Sequence, residues 1–594
     1  MHQPGPPPDP GTEKRVLLAF ALTFVFLALM QPLISRYARQ QQGAAPEKSA
    51  ATETAAAPAP APEAGAITAP GPVRASAERK PAAPPPVAVK QAATESETVI
   101  ENDLYRIVFT NRGAQVKSWV LKKYEDDQGK PLDLVHPLAA PQYGCPLSLW
   151  TYDEGLRGRL NTALYVASES GTKTAPAAIS FEYADGALQA RKTFSFDHTY
   201  VVRAEVSVTQ NGAAVQAYPA WPAGFGDQTS PTAYGLAAIV YQNADREERV
   251  PLKKVSGGNT IPGPFHWAGA TDQYFAAVFL PDAPDSAALV TLRRTITLPK
   301  DPKNPGAGTV KEEVAGMAAG DRRGVTAGRF FVGPKSVDVL KSVRSTGPAG
   351  PNSGPDLERL VDFGKWFGWL ARPLFLWLKW TQQHFVPNWG WAIVLLTIII
   401  NVALMPLRIT SMKSALKMQK IQPQIKAIQE KYKKYSVRDP RRAEMNKEVA
   451  DLYKQHGVNP AGGCLPLLLQ MPFLIAFYSM LGVAIELRHA SWIWVRDLSS
   501  PDPWHILPIG IILTMFFVQK LTPQAGMDPV QQKMMNLMMP VMIGAISWNL
   551  AAGLGLYWTI GNLLAIAQQY GINKTAFGRE MREEMEKRAA KKKK

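Results

Sequence analysis

The last third of this chain alternates apolar runs with charged connectors, and that pattern leaves few folds open. Five runs, at about 388–407, 462–484, 504–520, 535–550 and 553–571, carry almost no charge. At 1.5 Å per helical residue, about 20 residues cross a bilayer core of roughly 30 Å. Several runs are short or interrupted, with Pro466, Pro472, Pro508 and Pro540 inside or at their edges. A sixth run, VLLAFALTFVFLALMQPLI, follows Lys14 and Arg15 near the N-terminus. A cleaved signal peptide competes for it, but the run exceeds a usual apolar core and SRYARQQQ offers no small-x-small cleavage site. It reads as an uncleaved anchor over 16–35.

Loop charge sets the orientation. Residues 408–456 hold thirteen Lys/Arg against five Asp/Glu, and the tail from Lys574 holds nine against four. Both belong in the cytoplasm by the positive-inside rule. The expected fold class is therefore a polytopic α-helical membrane protein with six transmembrane helices, both termini inside, and a large extracytoplasmic all-β sandwich domain. The formal net charge of +17 is then mostly topology, and no nucleic-acid chemistry is needed to explain it.

The predicted layout starts with a cytoplasmic N-terminus (1–15) and the first span (16–35). Residues 36–98, rich in Ala, Pro, Glu and Thr, cannot bury enough apolar area to offset their ordering entropy and read as a disordered tether. Residues 99–345 alternate with the period of half-buried strands, as in TYVVRAEVSV, LYRIVFT and ALVTLRRTITL. ISFEYADGALQARKTFSF places Asp185-Gly186 between two such runs, a hairpin signal. Residues 355–384 show Leu360, Phe363, Phe367, Leu370 and Leu374 at helical spacing, with Trp366, Trp369, Trp377 and Trp380 beside them. That composition suits an interfacial amphipathic helix. The second span (388–407), a basic helical hairpin (408–460), spans three to six (462–571) and a basic tail (572–594) complete the chain.

Catalytic chemistry finds no support. The two cysteines, Cys145 and Cys464, lie far apart, and no Cys/His cluster, phosphate-binding loop, HExxH or GxSxG motif is present. No enzyme activity, cofactor, metal or small-molecule substrate is expected. A secondary transporter is the alternative class, but it would show internal repeats and a midplane ion site with acidic residues. Glu486, at the outer edge, is the one carboxylate near a span.

Function points instead to polar side chains inside apolar runs. Thr397, Asn401 and Arg408 fall at i, i+4 and i+11 on one helix face. Gln470 shares a face with Phe473 and Phe477, and Trp558, Asn562 and Gln569 repeat the pattern. Such groups face protein or a water-filled cavity; the bland alternative is hydrogen-bonded helix packing, worth about 0.6 kcal/mol per bond. In the hairpin, Ile421, Ile425, Ile428 and Tyr432 make one apolar stripe and Met445, Val449, Leu452 and His456 a second. Its cations, among them Lys426, Lys433, Lys434, Arg438, Arg441 and Arg442, suit an acidic partner such as lipid headgroups or ribosomal RNA.

NPAGGCLPLLLQMPFLIAFYSML, SMKSALKMQKIQPQI, ELRHASWIWVRDLSSPDP, LPIGIILTMFFVQK, DPVQQKMMNLMMP and GLGLYWTIGNLLAIAQQ occur in an order that resembles the YidC family of bacterial membrane-protein insertases. FFVGPK at 330–335 is similar to the end of the periplasmic domain of its Gram-negative branch. The resemblance implies a multi-pass inner-membrane insertase and chaperone with its β domain in the periplasm. It implies a hydrophilic groove, open to cytoplasm and lipid, that takes nascent membrane proteins alone or beside the Sec translocon. The basic loop and tail would meet ribosomes, targeting factors and lipids. Thr397 matches the family position; Trp558 stands where relatives have a substrate-contacting aromatic. Asn401 departs from it, because many relatives carry an arginine there, and Arg408 is the residue placed to bring charge to the groove mouth.

Overall fold

The computed structural model describes residues 89–575 apart from 229–235, 244–245, 301–305, 307, 348, 365, 436–438, 459–464 and 522–528, together with 579 and 583. The predicted first span and most of the tether, Arg438 and most of the basic tail lie outside the described residues. The chain divides into two compact units: a β unit ending at Gly333 that also takes Arg344–Pro355, and a helical unit of Pro334–Val343 with Asp356–Lys594.

Among the described residues the β unit holds three sheets of eleven, five and five strands. The largest runs from Val89–Lys90 through Ala177–Asp185, Leu188–Phe196, Val201–Gln210 and Val325–Pro334 to the strands between Trp267 and Pro281, and ends at Arg246–Pro251. The expected alternation is present: Tyr200, Val202, Ala204 and Val206 are buried. The hairpin forms with Asp185 opposite Leu188, so its two-residue loop is Gly186–Ala187, one residue beyond the Asp-Gly signal, and Gly186 supplies the left-handed backbone. The unit also begins before residue 99, because Val89–Lys90 pairs with Ala184–Asp185. Two short helices, α1 (Ala140–Tyr143) and α2 (Glu154–Thr162), lie in its connections.

The helical unit opens with α3 (Val337–Ser342) and a single 3-10 turn at Glu358–Leu360. Then come α4 (Gly368–His384), α5 (Trp389–Ala403), α6 (Met405–Lys431), α7 (Arg441–Gln455), α8 (Leu465–Leu481), α9 (Ile506–Leu521), α10 (Pro529–Ser547) and α11 (Ala552–Asn573). The predicted 355–384 helix thus starts later, at Gly368, and its buried face is Ala371, Leu374, Phe375, Leu378 and Thr381. Its indoles turn outward: Trp366 and Trp369 are 71% and 72% exposed. The second run also breaks early. Pro406 has no N–H for the Val402 carbonyl, so α5 stops at Ala403 and α6 restarts at Met405.

Among the described residues no single helix is long and apolar enough to cross a membrane; α4 and α5 reach that length and hydropathy only together, and they are bent by 119°. α11 is the centre of the unit, packed against α5, α8 and α9, with α10 on α9 and α4 against α5 and α8. Close approach depends on small residues. A Cβ on Gly544 would run into Ile512, and one on Gly555 would sit 3.2 Å from the Leu507 Cβ.

Candidate functional site

The site grows from three helix starts that are fixed locally. α5 begins because the Asn388 Oδ1 accepts the Trp391 N–H at 3.2 Å, while its Nδ2 donates to the Ser491 carbonyl. Gly390 follows, where any side chain would strike the Trp492 ring. α9 begins at the buried Asp502, whose Oδ2 accepts the Leu507 N–H at 2.7 Å and whose Oδ1 accepts the Trp504 N–H and the Trp494 Nε1–H. α11 begins where Ala552 and Gly553 donate backbone N–H groups to the Ser500 and Leu498 carbonyls. These anchors fix the depth of α5, α9 and α11 from one end.

Deeper along the helices, polar groups from α5, α8 and α11 converge. A methyl on Gly561 would lie 3.9 Å from the Asn401 Nδ2 and 4.0 Å from the Gln470 Nε2, so both amides flank the bare backbone of α11. Asn401 is half-buried and donates its Nδ2–H to the Thr397 carbonyl at 2.9 Å. Two turns on, the Arg408 Nη1–H donates to the Gln568 Oε1 at 2.7 Å, and the Gln568 Nε2–H reaches the Asn401 carbonyl at 3.4 Å. Hydrogen bonds therefore join Asn401, Arg408 and Gln568 inside an apolar bundle, with the Gln470 amide also beside Gly561.

The other sequence-predicted residues sit differently. Thr397 is fully buried and its hydroxyl donates to the Ile393 carbonyl at 2.6 Å, so it is satisfied within its own helix. Phe477 is buried and stacked on Tyr557 at 4.1 Å, a packing contact between α8 and α11. Asn562 donates its Nδ2–H to the Thr514 hydroxyl at 3.0 Å and so joins α11 to α9. Phe473 and Trp558 are half-exposed, flanking the converging amides along α8 and α11. Sequence reasoning missed Gln568. The i+11 spacing runs along one stretch of chain and carries no information about which α11 residue meets Arg408.

In the basic hairpin α6 packs against α7, and only part of the two expected stripes makes the contact. Met418, Ile421, Ile425 and Val458 form its buried core, with Val449, Leu452 and Tyr453 packed on them. His456 is exposed and does not join. Left-handed Gly457 ends α7 and folds Val458 back, its N–H donating to the Tyr453 carbonyl at 2.9 Å. Lys426, Lys433 and Lys434 are exposed, whereas Arg441 pairs with Asp439 and lies 3.9 Å over the Tyr435 ring. Arg442 donates to the Tyr435 carbonyl at 3.0 Å and so fixes the turn. At the opposite end of the unit, burial pushes the Glu486 carboxyl above its usual range, and it accepts the Ser336 hydroxyl at 3.0 Å.

Comparison with known proteins agrees with this organisation. Residues 380–579 match the family model of the 60Kd inner membrane protein, and residues 97–377 match that of the YidC periplasmic domain. The membrane protein insertase YidC of Geobacter metallireducens is 33% identical over 594 residues, covering 95% of this chain and 98% of the relative. The namesake from Syntrophus aciditrophicus is 33% identical over 493 residues, covering 81% and 86%. Among solved structures, a crystal structure of an active YidC insertase with its first transmembrane domain resolved covers 82% of this chain and 94% of that chain, at 19% identity and a TM-score of 0.32. That overlay is too loose to place residues, but the sequence relationship spans both units. This chain belongs to the YidC family of membrane protein insertases.

Proposed function

We propose that this chain inserts nascent inner-membrane proteins through a partly hydrated groove formed by α5, α8 and α11 and closed by the Arg408–Gln568 pair. The convergence of the Asn401 and Gln470 amides on Gly561 carries the reading. Bilayer hydrocarbon penalises unpaired polar groups by several kcal/mol, so such groups gather only where protein or water meets them. A polar flank of the substrate enters there at a reduced desolvation cost. Its apolar segment then leaves sideways, driven by burial of its own surface in lipid at about 25 cal/mol per Å². The work is binding and partition, with no covalent step and no cofactor.

In this reading the chain has six spans, both ends in the cytoplasm and the β unit in the periplasm. The short helices suit a locally thinned bilayer: α5, with 15 residues, is about 22 Å long. The exposed hairpin lysines and the tail meet ribosomes, targeting factors and anionic lipid, and the chain acts alone or beside the Sec translocon. Family membership leaves the secondary-transporter alternative without support.

The test is a cysteine at 401 and another at 470, probed with a small aqueous thiol reagent and by crosslinking to a stalled nascent span. Both positions should react and crosslink to substrate. Cysteines that stay unreactive and crosslink only to neighbouring helices would reduce the cluster to helix packing.

A further inference from the structure

We infer that Gln568 sets this chain's preference for substrates with acidic flanks, by holding the Arg408 guanidinium at the groove mouth without neutralising it. The inference rests on the groove reading above. A half-buried arginine is ordinarily matched by a carboxylate, because an unpaired charge in a low-dielectric interior is costly. Here the acceptor is an amide oxygen at 2.7 Å, and among the described residues no carboxylate pairs with Arg408. An amide fixes the direction of the guanidinium and leaves its full positive charge.

The orientation of Gln568 follows from chemistry. A guanidinium only donates, so the amide must turn its oxygen to Arg408. Its Nε2–H is then left for a carbonyl, and the Asn401 carbonyl lies 3.4 Å away. Asn401 is on α5 and Arg408 on α6, so one glutamine on α11 bridges the break at Leu404 and ties both sides to the same helix. The wall it completes presents an uncancelled cation two turns along the chain from the neutral amide of Asn401, which shares the Gly561 backbone with Gln470. Such a wall attracts a carboxylate on an entering chain and, through the Arg408 charge, repels an ammonium.

Gln568 is therefore a positioning residue, and its signature is discrimination between flanks. Full-length variants in membrane vesicles would be given single-span probes with one apolar segment flanked by paired Asp, Asn or Lys. Gln568→Leu should slow insertion of the Asp-flanked probe about tenfold, the factor that roughly 1.4 kcal/mol supplies, and the Asn-flanked probe far less. Gln568→Glu keeps the hydrogen bond but cancels the charge, so it should lose the Asp preference too. Asn401→Arg added to Gln568→Leu should restore it. Equal slowing of all three probes by Gln568→Leu, with Gln568→Glu behaving as wild type, would overturn the inference. If Gln568→Leu fails to accumulate, Gln568→Glu decides by the same criterion. Crosslinking from position 401 separates the two levels: its loss removes the groove and this inference together, whereas intact crosslinking without flank discrimination removes this inference alone.

Discussion

Replacing Lys192 by methionine tests how the β unit ties its three sheets together. Lys192 occupies the inward row of the strand Leu188–Phe196, between Ala190 and Phe194, and is fully buried. Its Nζ donates to the Gly113, Ala114 and Leu147 carbonyls at 2.7, 3.1 and 2.8 Å. These lie beside the strands Gln115–Glu125 and Ser148–Trp150, so one amine reaches all three sheets. Ala114 and Leu147 hold left-handed backbone at φ 46 and 62, which costs about 1 kcal/mol each without a side-chain partner.

Two effects oppose each other. Burial pulls the Lys192 amine from 10.5 down to about 7. Three acceptors, however, match the three N–H groups that only the ammonium carries. At pH 7.5 the pKa displacement costs the fold about 4 kcal/mol, a cost methionine removes. Methionine leaves three buried carbonyls without donors, at about 1–3 kcal/mol each. The carbonyls win, and the expected net loss is about 2 kcal/mol. The pH slope is sharper. With its pKa depressed on folding, the native amine binds fewer protons than the unfolded one between about pH 7 and 10.5, so stability rises with pH across that window. Urea unfolding of the isolated β domain at pH 6.5 and 9.5 should show a wild-type midpoint that climbs relative to Lys192→Met, with the variant's deficit larger at the higher pH. Equal stability of the two proteins, or parallel pH profiles, would refute the reasoning.

Three further outcomes are expected. Deleting residues 110–320 should leave substantial insertion activity, whereas deleting 334–343 should abolish it, because Ser336 and Asp338 bind Glu486 and Lys379 of the helical unit; an in vivo depletion-and-rescue assay reads both. Asn401→Arg should insert and function: about 10 Å from Arg408 the repulsion is roughly 0.4–1.7 kcal/mol between aqueous and near-surface dielectrics, below the 2.5–3.5 kcal/mol cost of a lipid-facing central arginine, and failure to accumulate in the membrane would contradict this. Removing residues 576–594 should weaken ribosome co-sedimentation at low salt and matter little at high salt, and cysteines placed at Lys433 and Lys591 should stay shielded from an impermeant reagent added outside.

What the sequence made legible follows physical range. Apolar runs and basic connectors are local properties, so the apolar helices, the hairpin and the strand alternation around Val202–Val206 could be read from the residues themselves. Lys192 could not, since in ALQARKTFSF it reads as one more alternating strand position and its three acceptors come from 45 to 79 residues away. The polar face of the second run was legible in composition but not in consequence. A threonine can satisfy itself on its own helix, as Thr397 does on Ile393. An asparagine such as Asn562 can be consumed by a neighbour on another helix, here Thr514. Arg408 was found because a charge closing an apolar run is conspicuous. Gln568 was not, because the spacing from Trp558 and Asn562 singles out Gln569 instead, whereas Gln568 lies seven residues after Gly561, on the face that meets Asn401 and Arg408. Where a bundle's polar groups end up is a pairing problem between helices, and periodicity along one helix does not contain it.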